Sequence, residues 1–301
     1  MERPLEDLAL FAMATTPRFS WAKTRLRIEE FGSAEAVLRL KFSNELLDDG
    51  FDQEIRTASQ AIDSYEAQGF HLSTIRGDGY PRQLRTVHDA PPVLWWQGFH
   101  DVGDEDSVAI VGTRAPDEWG KEFARSLARL LAIQGVPVVS GLARGIDGVA
   151  MRASLEAGGR TIGVIGAGLG VYYPPEHRDL QDEVANSLLL SQFAPGTAVS
   201  KPKFPMRNIT MSGFASLTVI VQAGETSGTM HQAKAAVKHG RPVIITSQVL
   251  RSAGWARDLK REGYEVTVVD TPREAFTAVQ EIHRSRRAAA GDWGFGTLLR
   301  A

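Results

Sequence analysis

The rhythm of apolar positions changes once along the chain. Up to about residue 65 they recur at helical spacing: Leu8, Leu10, Phe11 and Met13 cluster before Thr15-Thr16-Pro17, and Trp21, Leu26, Ile28 and Phe31 follow. Gly32-Ser33 reads as a helix stop and a new start ahead of Ala34 to Leu40, and a last helix is expected over residues 53–68. From His71 onward, short apolar runs take over at Val108–Val111, Val136–Val139, Thr161–Ile165, Leu188–Leu190, Leu217–Val221, Pro242–Ile245 and Val266–Val269, with helical patterns between them. Strands alternating with helices imply right-handed βαβ crossovers and a mostly parallel sheet covered on both faces. The fold class expected is therefore α/β, an extended Rossmann-type sheet preceded by a small all-helical domain. The expected partition is 1–68 for the helical domain, 69–282 for the Rossmann-type domain and 283–301 for a basic, flexible tail.

Two of these strands run into glycine-punctuated turns. Ser107 to Val111 leads into Gly112-Thr113-Arg114 and a helical pattern over 118–134, and Gly135 to Val139 leads into Ser140-Gly141-Leu142-Ala143-Arg144-Gly145-Ile146-Asp147 and a helix over 148–157. A strand feeding a turn that opens a helix gathers backbone N–H groups and a positive dipole end, which favours an anion, and a phosphate above all. Parallel strands deliver such turns to one edge, so Arg114 and Arg144 are expected to face one crevice, with Ser140 as a hydroxyl donor. The plain alternative is that Gly112, Gly141 and Gly145 are the turn glycines any doubly wound sheet needs, and Asp147 is more simply a cap than a catalyst. Ser227-Gly228-Thr229 opens a further helix at the same edge, as an N-cap, a donor of N–H groups, or both. Lys201, Lys203 and Arg207 flank Phe204-Pro205 in a loop expected before a helix over 208–214, and Tyr172 and Tyr173 offer rings that either stack nucleobases or shape a Pro-Pro loop.

Composition narrows the chemistry. Hydrophobic residues at 43% and charged residues at 23% are ordinary for a globular protein, and the absence of cysteine removes disulfides, thiolate metal sites and Cys nucleophiles. The net charge of -2 conceals an asymmetry: residues 107–250 hold 14 Lys and Arg against 10 Asp and Glu, +4, while the rest hold 20 against 26, -6. The candidate crevice lies in the basic part. The opening residues lack a basic and then apolar leader pattern, so a cytoplasmic location without membrane contact is expected. No HExxH or GxSxG occurs, and Gly163, Gly166, Gly168 and Gly170 do not form GxGxxG, so neither catalysis, a metal nor a dinucleotide cofactor is expected. Glu225 beside Ser227 is an acidic turn residue before it is a general base.

The ordered motifs resemble the DNA-processing protein A family (DprA, also called Smf), whose patterns are Gly-Ser-Arg, Ser-Gly-x-Ala-x-Gly-Ile-Asp and Phe-Pro-x-Arg-Asn. Here they stand as Gly112-Thr113-Arg114, Ser140 to Asp147, and Phe204-Pro205-Met206-Arg207-Asn208. Tyr80-Pro81-Arg82-Gln83-Leu84, Pro91-Pro92-Val93-Leu94, Tyr173-Pro174 and Ser227-Gly228-Thr229 extend the resemblance over roughly residues 66–250. It implies a non-catalytic binder of single-stranded DNA that dimerises and hands the strand to a RecA-type recombinase in transformation or recombination. Its implied phosphate contacts are Gly112, Thr113, Arg114, Ser140, Gly141, Arg144, Gly145, Lys201, Lys203, Phe204, Arg207, Asn208 and Ser227 to Thr229, with Tyr172 and Tyr173 for stacking. The helical region resembles the family's sterile-alpha-motif or helix-hairpin-helix module, but Thr16 to Ser20 stands where that module has a Gly-x-Gly hairpin, so a packing role is expected there. Elsewhere Ile209 stands for an arginine, Gln192 and Gln222 for glutamates, Met151 for a histidine and His177 for an asparagine. Only 14 residues follow Arg287, so the family's C-terminal winged helix is expected to be missing. These departures keep a second reading open: a nucleotide-binding or nucleotide-sensing paralogue in a phage-defence or mobile-element system, with hydrolysis disfavoured because no Pro-Gly-Gly-x-Gly-Thr motif occurs.

Overall fold

The structure, a computed structural model, describes residues 3–16, 19–42 and 49–292; Pro17 and Arg18, in the stretch that replaces the family's glycine hairpin, and residues 293–301 of the expected tail lie outside them. From the N-terminus come helices α1 (Leu5–Thr15), α2 (Trp21–Phe31), α3 (Ala34–Phe42) and α4 (Asp49–Glu66), then β1 (His71–Thr74), α5 (Arg82–Arg85) and β2 (Val93–Gly98). The alternating part follows as β3 (Val108–Val111), α6 (Glu118–Ile133), β4 (Val138–Ser140), α7 (Ile146–Glu156), β5 (Thr161–Val164), α8 (Arg178–Ala185) and β6 (Leu188–Ser191). It closes with α9 (Lys203–Phe214), β7 (Leu217–Ile220), α10 (Thr229–Lys238), β8 (Val243–Thr246), α11 (Ser247–Ser252), α12 (Gly254–Arg261), β9 (Val266–Val269) and α13 (Pro272–Asp292). Among the described residues no helix is long and apolar enough to cross a membrane.

The chain forms two compact units, one of Met1–His100 with Gly163–Thr210 and one of Asp101–Ile162 with Met211–Ala301. In the second, β4, β3, β7, β8 and β9 lie in that order, and every neighbouring pair is parallel. The expected βαβ logic therefore holds. Strands buried on both faces read as unbroken apolar runs, and Val108, Ile110, Leu217, Val219 and Ile244 pack one face against α6, α7 and α13 through Phe123, Leu127, Ala150 and Val279. Thr218 points the other way, as the period of two requires, and its hydroxyl accepts from the Gln232 amide of α10 at 3.3 Å, so α10 covers the opposite face.

In the first unit β1 pairs antiparallel with β2, and β2 antiparallel with β6. The sequence pattern missed β1 and β2 as strands, since His71-Leu72-Ser73-Thr74 is polar at alternate positions and β2 ends half-exposed. The N-terminal helices pack on one another and also on the sheet edge. Fully buried Trp95 of β2 meets the rings of Phe11 (5.7 Å, 80°) and Tyr65 (5.0 Å, 80°) edge-on, and the Thr74 hydroxyl bonds Asp7 of α1. The helices and the sheet edge thus meet around Trp95 and Thr74. Tyr80, buried, donates its hydroxyl to the Pro91 carbonyl at 2.7 Å, which ties the two Pro-containing motifs together; burial pushes its phenol well above the usual range.

The stretch 283–292, expected as flexible tail, is the last part of α13. Its polar groups are anchored: His283 is buried with Nε2 2.9 Å from the Ser216 hydroxyl, Arg286 donates to the Ser216 carbonyl at 3.0 Å, and Arg287 pairs with Asp106 at 2.6 Å. Burial holds the His283 imidazole below its ordinary pKa. A basic run that looks solvated in sequence is here the seam between α13 and the leading edge of the sheet.

Candidate functional site

The second unit has a topological switch point. β3 and β7 are neighbours, yet the chain leaves β3 through α6 toward β4 on one side and leaves β7 through α10 toward β8 on the other. Loops that diverge in this way open a crevice outside the carboxyl ends of the two strands. The loops are pinned at their roots, where the Thr113 N–H donates to the Gln222 carbonyl at 2.7 Å.

The loop after β4 folds back onto the loop after β3. The Ile146 N–H donates to the Thr113 carbonyl at 3.2 Å. Gly145 sits at φ +77°, and a Cβ there would lie 2.3 Å from the Thr113 oxygen and 2.8 Å from the Arg114 carbonyl carbon. Only glycine permits this backbone approach. Gly112 answers it from the other loop, since a Cβ there would lie 2.5 Å from Cγ1 of Ile146. Arg114 belongs to this contact and Arg144 precedes it by one residue, so two exposed guanidinium-bearing residues share one stretch of rim. Leu142, buried and at φ +56°, holds the turn in a left-handed conformation that costs an apolar residue about 1–2 kcal/mol.

Several expected contacts are turned inward. Ser140 is fully buried and donates Oγ to the Ile110 carbonyl at 2.7 Å, so it staples β4 to β3 and does not offer its hydroxyl to a ligand. Among the expected amide donors, Gly141 N–H already donates to Oδ2 of buried Asp147 at 3.1 Å, and Thr113 and Ile146 are paired as above. Asp147 therefore rigidifies the loop, as a cap would. Ser227 Oγ accepts from the Thr229 N–H at 3.2 Å and donates to the Thr229 hydroxyl at 2.7 Å, a local turn around exposed Gly228 at the start of α10. Glu225 accepts from the Gly254 N–H at the start of α12, which assigns it a cap rather than a base.

One feature of the rim was invisible in sequence. Asp117 caps α6 by accepting from the Gly120 N–H at 2.8 Å, and the Gln222 carboxamide clasps it from both sides: its NH2 donates to Asp117 Oδ2 at 2.8 Å while its Oε1 accepts from the Asp117 N–H at 3.1 Å. The Gly120 N–H and then the Gln222 side chain hold the Asp117 carboxyl below its ordinary pKa. A glutamate at 222, as in the resembling pattern, would set carboxylate against carboxylate; glutamine suits this neighbour because it both donates and accepts. The signs of the pH dependence then oppose one another. In the natural protein Asp117, with its pKa lowered by folding, stabilises above the unfolded carboxylate pKa and loses that as pH falls through the folded value. Gln222→Glu raises the pair's pKa, so the variant's deficit in melting temperature is expected at pH 7 and to shrink toward pH 4. Equal deficits at both pH values in thermal melts would remove the clasp from the account.

The first unit holds the remaining candidates. α9 starts at Lys203 rather than after Asn208, with Pro205 in the first turn, where its missing N–H is harmless. The earlier start swings Arg207 inward: it is 5% exposed, donates Nη1 to the Val164 carbonyl at 2.7 Å and Nε to Asn208 Oδ1 at 3.0 Å. Arg207 is thus tied into the interior of the unit, with half-buried Asn208 accepting from it. Lys201 is exposed, and Lys203 holds its ammonium 5.6 Å from the Phe193 ring centre and bonded to the Ala198 carbonyl. Tyr172 donates its hydroxyl to Asp182 at 2.6 Å beneath the Arg178 guanidinium, and the Asp182 bond raises its pKa. Tyr173, 38% exposed, pairs with Phe204 at 5.6 Å, so of the two tyrosines it is the one presenting a ring. Met151 is fully buried in α7, a core methionine where the resembling pattern has histidine.

Comparison with known proteins adds a second line. The family described as DNA recombination-mediator protein A matches residues 71–277. DNA processing protein DprA of Bacillus subtilis is 36% identical over 212 residues, 70% of this chain and 71% of that protein; its counterpart in Streptococcus pneumoniae is 39% identical over 186 residues, 60% and 64%. The matched stretch is about half of the longer Smf proteins of Synechocystis and Escherichia coli, at 54% and 48%. Among solved structures, DNA processing protein A of S. pneumoniae aligns with a TM-score of 0.72 at 28% identity, covering 92% of this chain and 98% of that one. DNA processing protein A of Helicobacter pylori, described for its unique single-stranded DNA binding mode, aligns with a TM-score of 0.61 at 28% identity, covering 70% and 96%.

Proposed function

The chain belongs to the DNA recombination-mediator protein A family, and from that premise we propose that it binds single-stranded DNA through the carboxyl-edge loops of its second unit. The observation that carries this reading is the backbone contact between the loops after β3 and β4, where Gly145 lies against Thr113 and Arg114. It makes Arg114 and Arg144 neighbours on one rim while leaving both exposed. Each arginine holds a phosphate, Gly112, Thr113, Gly141 and Gly145 fix the loops, and the start of α10 at Ser227 to Thr229 adds its dipole at the same edge. Contacts to phosphate carry no sequence information, so binding is indifferent to base order. In the first unit Lys201 and Lys203 supply further positive charge, and Tyr173 with Phe204 a stacking surface.

In this reading the protein is a non-catalytic mediator in the cytoplasm that acts as a homodimer and passes its strand to a RecA-type recombinase during transformation or recombination. The H. pylori relative described for single-stranded DNA binding supports the ligand. Fluorescence anisotropy of labelled oligo-dT across a salt series tests it, with duplex DNA and mononucleotides as competitors. The expected logarithmic plot is linear, with a slope near -0.7 for each phosphate neutralised. Displacement by equimolar mononucleotide would overturn the strand reading in favour of nucleotide sensing.

A further inference from the structure

The first unit contains a cavity of about 570 Å³ lined from α1, α2, β2 and α9. Residual voids of a packed core are rarely larger than a water, and a space of this size falls in the range of small-ligand sites. Five rings line it, those of Phe11, Phe19, Trp21, Trp95 and Phe193, and Asp89 is the one ionisable residue of the lining among the described residues. Trp95 carries a buried indole N–H with no acceptor among the described residues.

Three departures from the DprA-like pattern converge on this space. Ile209 stands where the pattern has an arginine, Gln192 where it has a glutamate, and Phe19 lies in the segment that replaces the glycine hairpin; all three line the cavity. Together the first two exchanges remove one positive and one negative side chain, leaving a ring-walled space whose one ionisable group is Asp89. Lys203 lies beside it, its ammonium 5.6 Å from the centre of the Phe193 ring, and half-exposed Met206 of the same helix lines the cavity.

We propose that this cavity is a nucleobase pocket that takes one base of a single strand against its half-buried rings, those of Phe19, Trp21 and Phe193, while the attached phosphate lies by Lys203. The inference rests on the single-strand reading above and adds a site to it. An uncharged flat heterocycle stacks on aromatic walls whatever its identity, and in a lining whose one ionisable group is the Asp89 carboxyl it brings no second charge out of water. The neighbouring cation matches the one charge a nucleotide unit carries. An aromatic side chain of a partner protein would share the rings but would have no use for the lysine.

Two substitutions fill the space without touching the loops of the second unit: Ala14→Phe from α1 and Met206→Trp from α9. Indole fluorescence titrated with thymidine and adenosine, beside oligo-dT anisotropy, reads the outcome. Nucleosides are expected to quench the natural protein and to lose about tenfold in affinity in both variants, and oligo-dT to lose about tenfold, the size of one lost base stack. An abasic phosphodiester strand of equal length should bind all three proteins alike. If nucleosides leave the indole signal unchanged, or if both variants melt normally and bind oligo-dT as the natural protein does, the pocket is overturned while the single-strand reading survives. If nucleosides quench and the variants abolish it but no protein binds oligo-dT, the strand reading fails and the pocket stands.

Discussion

Gly145→Ala is expected to lower stability by about 3–4 kcal/mol and to abolish oligo-dT binding. Two costs combine. The φ of +77° strains any residue with a Cβ by about 1–3 kcal/mol, and the new methyl would lie 2.3 Å from the Thr113 carbonyl oxygen, a backbone atom that moves only if the loop after β3 moves. Gly158 provides the control, because it has a similar φ of +73° but no atom within 4 Å of the place a methyl would take. Gly158→Ala should therefore show the strain alone, about 1 kcal/mol, and bind DNA normally. In thermal melts the two variants should separate by several degrees. Equal losses would mean that the close approach of the two loops contributes nothing.

The second large effect concerns affinity without stability. Arg114→Ala combined with Arg144→Ala is expected to weaken oligo-dT binding about 30-fold near 0.1 M salt, on the basis of roughly 1 kcal/mol for each screened, exposed charge contact. The salt slope should flatten by about 1.4, for two phosphates no longer neutralised. Both residues are exposed, so the melting temperature should fall far less than in the Arg207→Ala variant. Arg207→Ala should behave in the opposite way: it strips a charge-assisted bond from the buried Val164 carbonyl and should lower the melting temperature by an amount corresponding to about 1.5–3 kcal/mol, leaving the salt slope intact. A salt slope that responds to Arg207 and not to the pair would exchange their roles.

What could be read in advance follows from the range of the forces involved. β3, β7 and β8 are short, mostly apolar runs because these parallel strands are buried on both faces, so the pattern locates them; β9, a half-buried edge strand, is read from its valines. The turns at Gly112 and Gly145 were legible because a close backbone approach demands a residue without Cβ, a demand written at one position. The direction of a side chain was not. Ser140 and Arg207 carry the right groups for a phosphate, yet Ser140 bonds a carbonyl 30 positions away and Arg207 one 43 positions away, and no local pattern encodes such partners. The end of α13 failed for the same reason: Arg286 and Arg287 find partners 70 and 181 residues distant. Gln222 was legible as a departure but not as a fit, because its reason is Asp117, 105 residues earlier.

Hydrogen–deuterium exchange with and without oligo-dT tests most directly whether the two loops make the strand's seat. The account predicts slowed exchange in peptides covering residues 112–117, 141–146 and 225–229 on binding, with the effect at the first two lost in the Arg114→Ala, Arg144→Ala double variant. Unchanged exchange in all three segments at saturating oligo-dT, with protection confined to other surfaces of the chain, would contradict it.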